Sequence, residues 1–519
     1  MKIICNSQKA YRWYSSKKIF FRGYFFWGEH LYSGDDAIEF INSIDQEKVT
    51  SILPAFNGIF SVVIDYGSAV VLACDKLRGL PVFYSVNNGD IIVSDLAKSI
   101  LDELKTAKVN ITAYDDYASS SLFVAGYDTL IDGIFQVQAA EYVLIDSQSY
   151  AIDRHEYYHY SSNVSKQISV EQLKESFFEN YRDIGKRLVK ALGGRTAVIP
   201  LSGGADSRMV VSMLKEQNYK NVICYTYGIK GNSESKMSKE VADYYGYPWT
   251  MVEYNAKMWD DLQKSEVLKA YDEYATNYVS TTHIQDIMAI IYLKDHHMIP
   301  HDSVFVPGHS GDMIAGSHLT NDFLADEMDY EHFIKRVLTK FYPKGCPKDV
   351  EEKIRSIFPC TDETSTETLS REYEWFNVKE RQAKFIVNSV RAYEFIDHEW
   401  LIPLWDNSQF EFWSSVPVEL RYDRKLYFEC VHDGIKSTND KTKATELAKT
   451  IRNTPFINNV SRRIYRIKRY YTSKMGFEHM FSFKEYMTAC LTMYPTFTIN
   501  DLLCNRRLKQ LKKELSIKG

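Results

Sequence analysis

One short stretch limits the folds open to this chain more than any other: a glycine pair that follows a buried apolar run and precedes a helical pattern. The run 195–201 reads Arg-Thr-Ala-Val-Ile-Pro-Leu and is typical of a central strand. The loop after it is Ser202-Gly203-Gly204-Ala205-Asp206-Ser207. A strand, a glycine loop and a helix in this order predict a parallel sheet with helical crossovers.

The residues of this loop favour phosphate binding. Gly203 and Gly204 allow the backbone to approach an anion closely, and the N–H groups at the start of a helix form an anion site. The hydroxyls of Ser202 and Ser207 can donate to phosphate oxygens, whereas Asp206 repels phosphate and is better suited to hold a bridging Mg²⁺. The alternative is a surface turn whose serines and aspartate only cap the helix.

The sequence around the loop predicts the rest of an α/β unit. Residues 170–192 carry apolar residues at helical spacing, 222–227 read as a second buried strand, and 303–306 read as a third. Beyond Thr320 the pattern is nearly all helical. We therefore predict a parallel sheet with helical crossovers, followed by a helical C-terminal part.

The first 160 residues have a different pattern. Turns separate short segments that are rich in β-branched and aromatic residues, namely 19–26, 59–64, 69–74, 82–86 and 91–94. These segments predict antiparallel hairpins in a layered sheet domain. Because 519 residues are more than a single core usually organises, we predict two domains, 1–160 and 161–519.

Composition limits the partners and the location. The net charge of -5 disfavours nucleic-acid binding, and we interpret the basic stretches 461–469 and 505–518 as solvated helix faces or a frayed terminus. No run approaches the roughly 18 apolar residues of a membrane helix, no secretory signal is visible, and the eight cysteines lack metal or redox spacing. We expect a cytoplasmic protein with reduced thiols.

The loop resembles the pyrophosphate loop of the N-type ATP pyrophosphatases, and its surroundings resemble the asparagine synthetase B family. Segment 307–316, Pro-Gly-His-Ser-Gly-Asp-Met-Ile-Ala-Gly, is similar to the segment that carries the family's second metal-binding aspartate. Residues 234–246 resemble the helix after the family's second strand, and segments 57–65 and 75–84 resemble its glutaminase domain. The resemblance is collinear from about Phe56 to Trp413.

The resemblance implies an N-terminal Ntn-type αββα sandwich followed by a Rossmann-like ATP pyrophosphatase domain, that is, a combination of α+β and α/β folds. It implies that Asp206 and His309 are catalytic and that Asp206 and Asp312 hold Mg²⁺. It also allows a homodimer. The implied ATP-binding residues are Leu201, Ser202, Gly203, Gly204, Asp206, Ser207 and Gly228. The candidates for the family's late lysine, which stabilises the leaving pyrophosphate, are Lys425, Lys436, Lys441 and Lys443.

Two departures from the family bear on the reaction, and the first concerns the glutaminase. The family uses a cysteine that becomes residue 1 after Met removal, so that its α-amino group activates its thiol. Here Lys2 follows Met1, so Met1 should be retained and Cys5 is internal. Arg22-Gly23-Tyr24 stands where the family has Asn-Gly-Glu. We therefore expect no glutaminase activity.

The second departure is His309, which stands in place of a family glutamate. A histidine can act as a base near neutral pH, with a pKa within about one unit of 6.5. A structural hydrogen bond in the loop is the alternative. Thr281-Thr282-His283 either lines the acceptor pocket, as in the family, or caps a helix. Arg391 either binds a carboxylate or forms a salt bridge between helices.

Together these features predict an asparagine synthase-like ATP-dependent ligase. It would adenylate the carboxylate of aspartate, a sugar acid or a peptide and then transfer ammonia or an amine to form an amide. One alternative is amidation or cyclisation of a sugar acid, peptide or small amino acid in surface-polysaccharide or natural-product biosynthesis. Another is a non-catalytic nucleotide-binding assembly protein, against which the intact loop and Asp312 argue.

Overall fold

The computed structural model describes residues 1–7, 10–87, 89–164, 168–324, 328–358, 365–434, 480–481, 483–493 and 498–518. The candidate lysines Lys436, Lys441 and Lys443 and the basic stretch 461–469 lie outside these described residues. Among the helices in these ranges, none combines the length and the low polarity that crossing a membrane requires.

The first part of the chain contains two sheets. Its strands are β1 (Lys2–Ile4), β2 (Tyr14–Ser15), β3 (Ile19–Trp27), β4 (His30–Ser33), β5 (Asn57–Asp65), β6 (Ala69–Cys74), β7 (Phe83–Asn87), β8 (Asp90–Ser94), β9 (Phe135–Gln136), β10 (Glu141–Asp146) and β11 (Ile152–Glu156). One sheet has the order β1-β8-β7-β9, and the other has β11-β10-β6-β5-β3-β2, with β4 paired to β3. The β1–β8 pair is parallel, whereas the predicted hairpin segments pair antiparallel.

Alternating side chains explain how these sheets stack. Along β5, Phe60, Val62 and Ile64 pack against helices α1 (Gly34–Ser43) and α2 (Val49–Ile52), whereas Val63 faces the other sheet. Helices α3 (Ala97–Glu103) and α4 (Ile111–Ser120) cover the outer face of that second sheet. The order helix, sheet, sheet, helix confirms the predicted αββα sandwich.

The second part is built on one parallel sheet with the order β14-β13-β12-β15-β16. Its strands are β12 (Ala197–Pro200), β13 (Val222–Gly228), β14 (Trp249–Glu253), β15 (Val304–Phe305) and β16 (Glu399–Trp400). The strands predicted in 195–201, 222–227 and 303–306 are confirmed. Strand β16 lies in a region that the sequence pattern predicted as helical, and that part of the prediction is wrong.

Helices complete the second part. Helix α5 (Val170–Leu192) begins with a capping box between Ser169 and Gln172 and ends at Gly193 in the left-handed conformation. The others in the described ranges are α6 (Ala205–Glu216), α7 (Ser233–Tyr245), α8 (Ala256–Lys264), α9 (Glu266–Thr276), α10 (Ile287–Asp295), α11 (Gly311–Ile314), α12 (Tyr330–Phe341), α13 (Lys348–Ile357), α14 (Thr366–Phe376), α15 (Arg391–Phe395), α16 (Asn407–Ser415), α17 (Val418–Arg421), α18 (Lys425–Gly434), α19 (Phe483–Thr492) and α20 (Ile499–Lys518). A π-helix, Asn377–Ile386, lies between α14 and α15. The Rossmann-like sheet with a helical C-terminal part is therefore confirmed.

The two parts share an apolar core. Tyr11, Ile59 and Leu80 from the first part belong to the same buried cluster as Trp400 from the second. The rings of Tyr11 and Trp400 meet edge to face, with their centroids 5.5 Å apart. The boundary near residue 160 stays a prediction, because the core is continuous across it.

Candidate active site

The glycine loop connects the end of β12 to the start of α6, as predicted. The Ser202 hydroxyl accepts a hydrogen bond from the Gly204 N–H group, 3.1 Å away, and lies 3.0 Å from the Ser207 hydroxyl. The backbone N–H of Ser202 donates to Ser207 Oγ over 3.1 Å. The two serines thus close the loop around the first turn of α6, whose N-terminus is a favourable position for an anion.

Two glycines fix the loop against its neighbours. A Cβ atom on Gly203 would lie 2.1 Å from Met237 Cε of helix α7. One on Gly308 would lie 2.5 Å from the backbone nitrogen of Ser207 and 2.6 Å from the carbonyl carbon of Asp206. Segment 307–312 therefore packs directly on the start of α6, and a side chain at position 308 would separate them.

This packing brings the two predicted metal-binding aspartates together. The N–H group of Asp312 donates to Asp206 Oδ2 over 3.4 Å, and the Tyr427 hydroxyl donates to Asp206 Oδ1. Burial, and then the negative charge of Asp312, raise the pKa of Asp206 above its usual range. The Arg424 guanidinium lies 3.3 Å from Asp312 Oδ2 and offsets part of the charge.

These groups line one cavity of about 650 Å³. The predicted residues that line it are Leu201, Ser202, Gly204, Asp206, Ser207, His309 and Asp312. Gly203 and Gly228 do not line it, since Gly203 lies beneath Met237 and Gly228 ends β13. The cavity also includes Tyr225 and Tyr227 at the end of β13, Asp286, and Ser389 beyond the π-helix.

His309 is half-buried in the cavity wall, where its Nε2 atom lies 2.6 Å from the Ser389 hydroxyl. Desolvation, and then the neighbouring His283, lower the pKa of His309 to about 3. This value lies below the pKa within about one unit of 6.5 that we expected for a base, because the surrounding protein desolvates the charged imidazolium. The hydrogen bond to Ser389 agrees with the structural alternative.

The other candidates from the sequence lie in different environments. His283 lines the cavity, but Thr281 donates to the carbonyl oxygen of Ser121 over 2.7 Å, and the Thr282 hydroxyl donates to Asp272. Arg391 is buried, pairs with Glu394, and stacks over the Tyr274 ring at 4.0 Å. Arg391 therefore forms a salt bridge, but within helix α15 and not between two helices as predicted.

Sequence reasoning missed Arg424 and Tyr427, which reach the cavity from the start of α18 and the turn before it. Lys425, the one candidate lysine among the described residues, is exposed and does not line the cavity. Asp423 and Arg424 both adopt positive φ angles, 52° and 61°, and this turn directs the Arg424 side chain to Asp312. No signal in the sequence marked this turn.

The paired carboxylates fit a magnesium ion bound together with a nucleotide. Mg²⁺ usually takes one or two protein carboxylates and completes its shell with phosphate oxygens and water. Among the described residues no group of three or more His, Cys, Asp or Glu side chains forms a metal cage. Asp206 and Asp312 repel each other, and a cation between them would relieve that repulsion.

The start of the chain has no activated thiol. Residues Lys2–Ile4 form β1, and Cys5 directly follows that strand. Burial, and then the nearby Asp95 charge, raise the pKa of the Cys5 thiol to about 11, so the thiolate is scarce at neutral pH. Asp95 is in turn paired with Arg22, whose Nη1 atom lies 3.3 Å from Asp95 Oδ2.

Comparison with known proteins agrees with this description. Residues 194–427 match the family model described as asparagine synthase. The chain is 24% identical over 291 residues to the Microcin J25-processing protein McjC of Escherichia coli. The match covers 56% of this chain and 52% of that protein, so it spans about half of the relative's length.

Two solved structures show weak similarity. The NH3-dependent NAD synthetase from Campylobacter jejuni is 13% identical and aligns over 37% of this chain and 83% of its own, with a TM-score of 0.20. The glutamine phosphoribosylpyrophosphate amidotransferase from B. subtilis is 9% identical over 57% of this chain and 63% of its own, with a TM-score of 0.18. Similarities this low add nothing to the fold described above.

The matched segment contains the glycine loop, both aspartates, His309 and Arg424. The αββα sandwich precedes it in the chain. Residues 194–427 thus match the asparagine synthase family model, and the αββα sandwich lies N-terminal to that matched segment.

Proposed function

We propose that this protein is an ATP-dependent carbon–nitrogen ligase that activates a carboxylate as its acyl-adenylate. One observation carries the proposal: the Ser202–Ser207 loop, the N-terminus of α6, the Asp206–Asp312 pair and Arg424 converge on one cavity. Together they supply what a bound triphosphate needs. The loop and the helix N-terminus provide N–H and hydroxyl donors, the aspartate pair provides a place for a divalent cation, and Arg424 provides a guanidinium.

In the proposed reaction, a carboxylate oxygen attacks the α-phosphorus of ATP, and the bond to the bridging α–β oxygen breaks. Pyrophosphate leaves with that oxygen. Ammonia or an amine then attacks the acyl carbonyl, AMP leaves, and the nitrogen loses a proton to give a neutral amide. The loop N–H groups and the hydroxyls of Ser202 and Ser207 would hold the phosphates in line, and Mg²⁺ on Asp206 and Asp312 would supply charge neutralisation.

We assign to Arg424 the task that a late lysine performs in the family. It is the one Lys or Arg side chain among the described residues that lines the cavity, and its Nε atom is buried without a partner there. A guanidinium can bind two oxygens of a departing pyrophosphate at once. The same guanidinium contacts Asp312.

The nitrogen would come from outside the chain. The raised pKa of Cys5 and the Arg22–Asp95 ion pair support the view that the N-terminal domain does not hydrolyse glutamine. Of the three acceptors considered, namely aspartate, a sugar acid and a peptide, the similarity to a protein named for the processing of microcin J25 favours the peptide.

The deciding experiment identifies the nucleotide products. Purified protein incubated with Mg²⁺, ATP and candidate acids should release AMP and pyrophosphate, because the loop lacks the Gly-Lys-Ser/Thr sequence of γ-phosphate-cleaving loops. Asp206→Asn and Asp312→Asn should abolish this release. The control Asp243→Asn, which removes an exposed partner of Lys239, should not change it. ADP and phosphate as products would refute the proposal.

A further inference from the structure

Asp286 is a buried carboxylate in the cavity wall that no step of the proposed adenylation uses. It is 7% exposed and lines the cavity. The Tyr393 hydroxyl donates to its Oδ2 atom over 3.0 Å. Asp286 stands at the N-cap of α10, but its side chain makes no capping hydrogen bond. Helix capping therefore does not explain why an aspartate is buried here.

Asp286 has no cationic partner within the described ranges. No Lys, Arg or His nitrogen there lies within 4.0 Å of it, and its carboxylate accepts a hydrogen bond from the neutral Tyr393 hydroxyl. Asp95 is matched by Arg22, and Asp75 accepts hydrogen bonds from the N–H groups of Phe60, Leu77 and Gly79. An unmatched buried charge is costly unless a ligand of opposite charge completes it.

Aromatic rings surround Asp286 on the cavity side. Tyr225 and Tyr227 line the cavity, and the Tyr227 ring stacks on Tyr254 with 5.1 Å between the centroids. Burial, and then the Asp286 charge, raise the pKa of all three hydroxyls, which keeps them neutral. A carboxylate among tyrosine rings is a typical binding environment for an ammonium group, since both attract a cation.

His283 completes this group of residues. Its Nδ1 atom is buried and has no hydrogen-bond partner among the described residues, and its ring packs on Phe385 at 5.6 Å. Burial lowers the pKa of His283 in spite of the opposing charge of Asp286, so the imidazole stays neutral. A neutral ring nitrogen can accept a hydrogen bond from an ammonium N–H.

We infer that Asp286, Tyr227 and His283 form a subsite for the ammonium group of a primary amine, which is the nucleophile of the second half-reaction. This inference rests on the proposed function. The carboxylate holds the charged nitrogen, and the tyrosine rings contact the carbon attached to it, which ammonia lacks. The subsite binds the amine in its protonated form, and the ammonium gives up one proton to solvent before its nitrogen attacks the acyl carbonyl. Asp286, Tyr227 and His283 take part in no covalent bond change.

The nucleotide is the competing occupant, because its adenine amino group could also donate to a carboxylate. A buried negative charge disfavours a ligand that carries phosphates, however, and favours one that brings a positive charge. If the amine occupies the subsite, an Asp286 substitution should weaken amine binding and leave ATP binding unchanged. If the nucleotide occupies it, the substitution should weaken ATP binding and leave amine binding unchanged.

The test measures binding and does not depend on turnover. Benzylamine, its neutral isostere benzyl alcohol, and ATP are each titrated calorimetrically into wild type and Asp286→Asn. We expect wild type to prefer the amine over the alcohol and Asp286→Asn to lose amine affinity roughly 10- to 100-fold, as for a hydrogen bond to a charged group. ATP affinity should be unchanged, and Asp286→Glu should recover part of the amine affinity.

The matched control is Asp295→Asn at the exposed end of the same helix, which should bind amine and ATP as wild type does. Tyr393→Phe, which removes only the hydroxyl donor to Asp286, should weaken amine binding less than Asp286→Asn does. Equal amine affinity in wild type and Asp286→Asn, or a loss of ATP affinity instead, would overturn the inference. Absence of pyrophosphate release with intact amine binding would refute the ligase proposal alone.

Discussion

Arg22 of the N-terminal domain forms an ion pair with Glu394 of the synthetase domain, with 3.6 Å between Nη2 and Oε2, and both side chains are almost fully buried. The same guanidinium contacts Asp95, and Glu394 also accepts from Arg391 and from the Tyr274 hydroxyl. A buried charge network therefore joins the two domains.

Arg22→Met should strongly destabilise the protein. The substitution leaves Asp95 and Glu394 with less positive charge around them, and breaking a buried pair in this way costs about 3–5 kcal/mol. Urea denaturation followed by circular dichroism measures the loss. Lys98→Met, which breaks the partly exposed Lys98–Asp102 pair, should cost less than about 1 kcal/mol. If the two variants lost the same free energy of unfolding, the result would contradict a buried charge network that joins the two domains.

Arg424→Gln should slow pyrophosphate release roughly 100-fold, the size of effect typical for loss of one stabilising group at a developing charge. Arg424→Lys should recover part of the rate, because the positive charge returns without the planar fork. Lys425→Gln serves as the neighbouring control and should behave as wild type, since Lys425 is exposed and lies outside the cavity. The measurement is release of labelled pyrophosphate at saturating ATP. If Lys425→Gln slowed pyrophosphate release more than Arg424→Gln did, the role assigned to Arg424 would belong to Lys425 instead.

His309 should contribute no titration step between pH 5.5 and 8. Its pKa is lowered to about 3, so the imidazole is neutral throughout this range. The pH profiles of amide formation for wild type and His309→Gln should therefore be parallel, with any acid limb belonging to the amine. Ser389→Ala tests the hydrogen-bonding role and should change the rate in the same direction as His309→Gln. An acid limb near pH 6.5 that disappears only in His309→Gln would restore the general-base hypothesis.

The protein should form no glutamate from glutamine, and ammonia or an amine should support turnover. The raised pKa of the Cys5 thiol leaves little thiolate at neutral pH. Cys5→Ala should therefore show the same amide-forming rate as wild type. An enzyme-coupled glutamate assay decides the matter: glutamate that forms with wild type and not with Cys5→Ala would mean that the N-terminal domain retains its reaction.

The stability contributed by His159 should depend on pH. Its ring nitrogens each lie 2.8 Å from a carboxylate oxygen, one of Glu156 and one of Glu372, and these hydrogen bonds raise the pKa of His159 to about 9. Because the folded-state pKa lies above the unfolded value near 6.5, the stabilisation is fully present below pH 6.5 and is lost as the pH rises through 9.

Glu372→Gln should accordingly lower the Tm more at pH 6.5 than at pH 9.5. The side chain of His159 is 43% exposed, so the effect should not exceed about 1 kcal/mol. Glu179→Gln, an exposed carboxylate on α5, is the control and should show no such pH dependence. If the difference in Tm between wild type and Glu372→Gln were the same at pH 6.5 and pH 9.5, it would contradict a stabilising contact between His159 and Glu372.

The sequence pattern predicted the loop and the strands β12, β13 and β15, whereas the pairing of Asp206 with Asp312 was implied by the family resemblance. The structure gives the physical reason for that pairing: β12 and β15 are parallel neighbours, and their carboxyl ends share an edge of the sheet. Strands β1 and β16 were missed because runs of two or three residues carry no periodicity.

The side chains that complete the cavity could not be predicted in the same way. Arg424 reaches Asp312 only through a turn at two residues with positive φ, neither of which is glycine. Asp286 and Tyr393 meet across distant segments, and an aspartate before an apolar helix looks like an ordinary cap. The low pKa of His309 depends on burial, which a loop sequence does not reveal.

The π-helix Asn377–Ile386 belongs to the synthetase half but is held by hydrogen bonds to the N-terminal half, so neither half can be exchanged without affecting the other. Its buried Lys384 ammonium donates to the carbonyl oxygens of Val124 and Gly126, 2.8 and 2.7 Å away, and Glu380 accepts from the Gly126 N–H. The helix leads directly to Ile386 and Ser389 in the cavity wall. A chimaera that joined this synthetase half to a foreign N-terminal half would keep every residue proposed to bind phosphate and still lose the support of that wall.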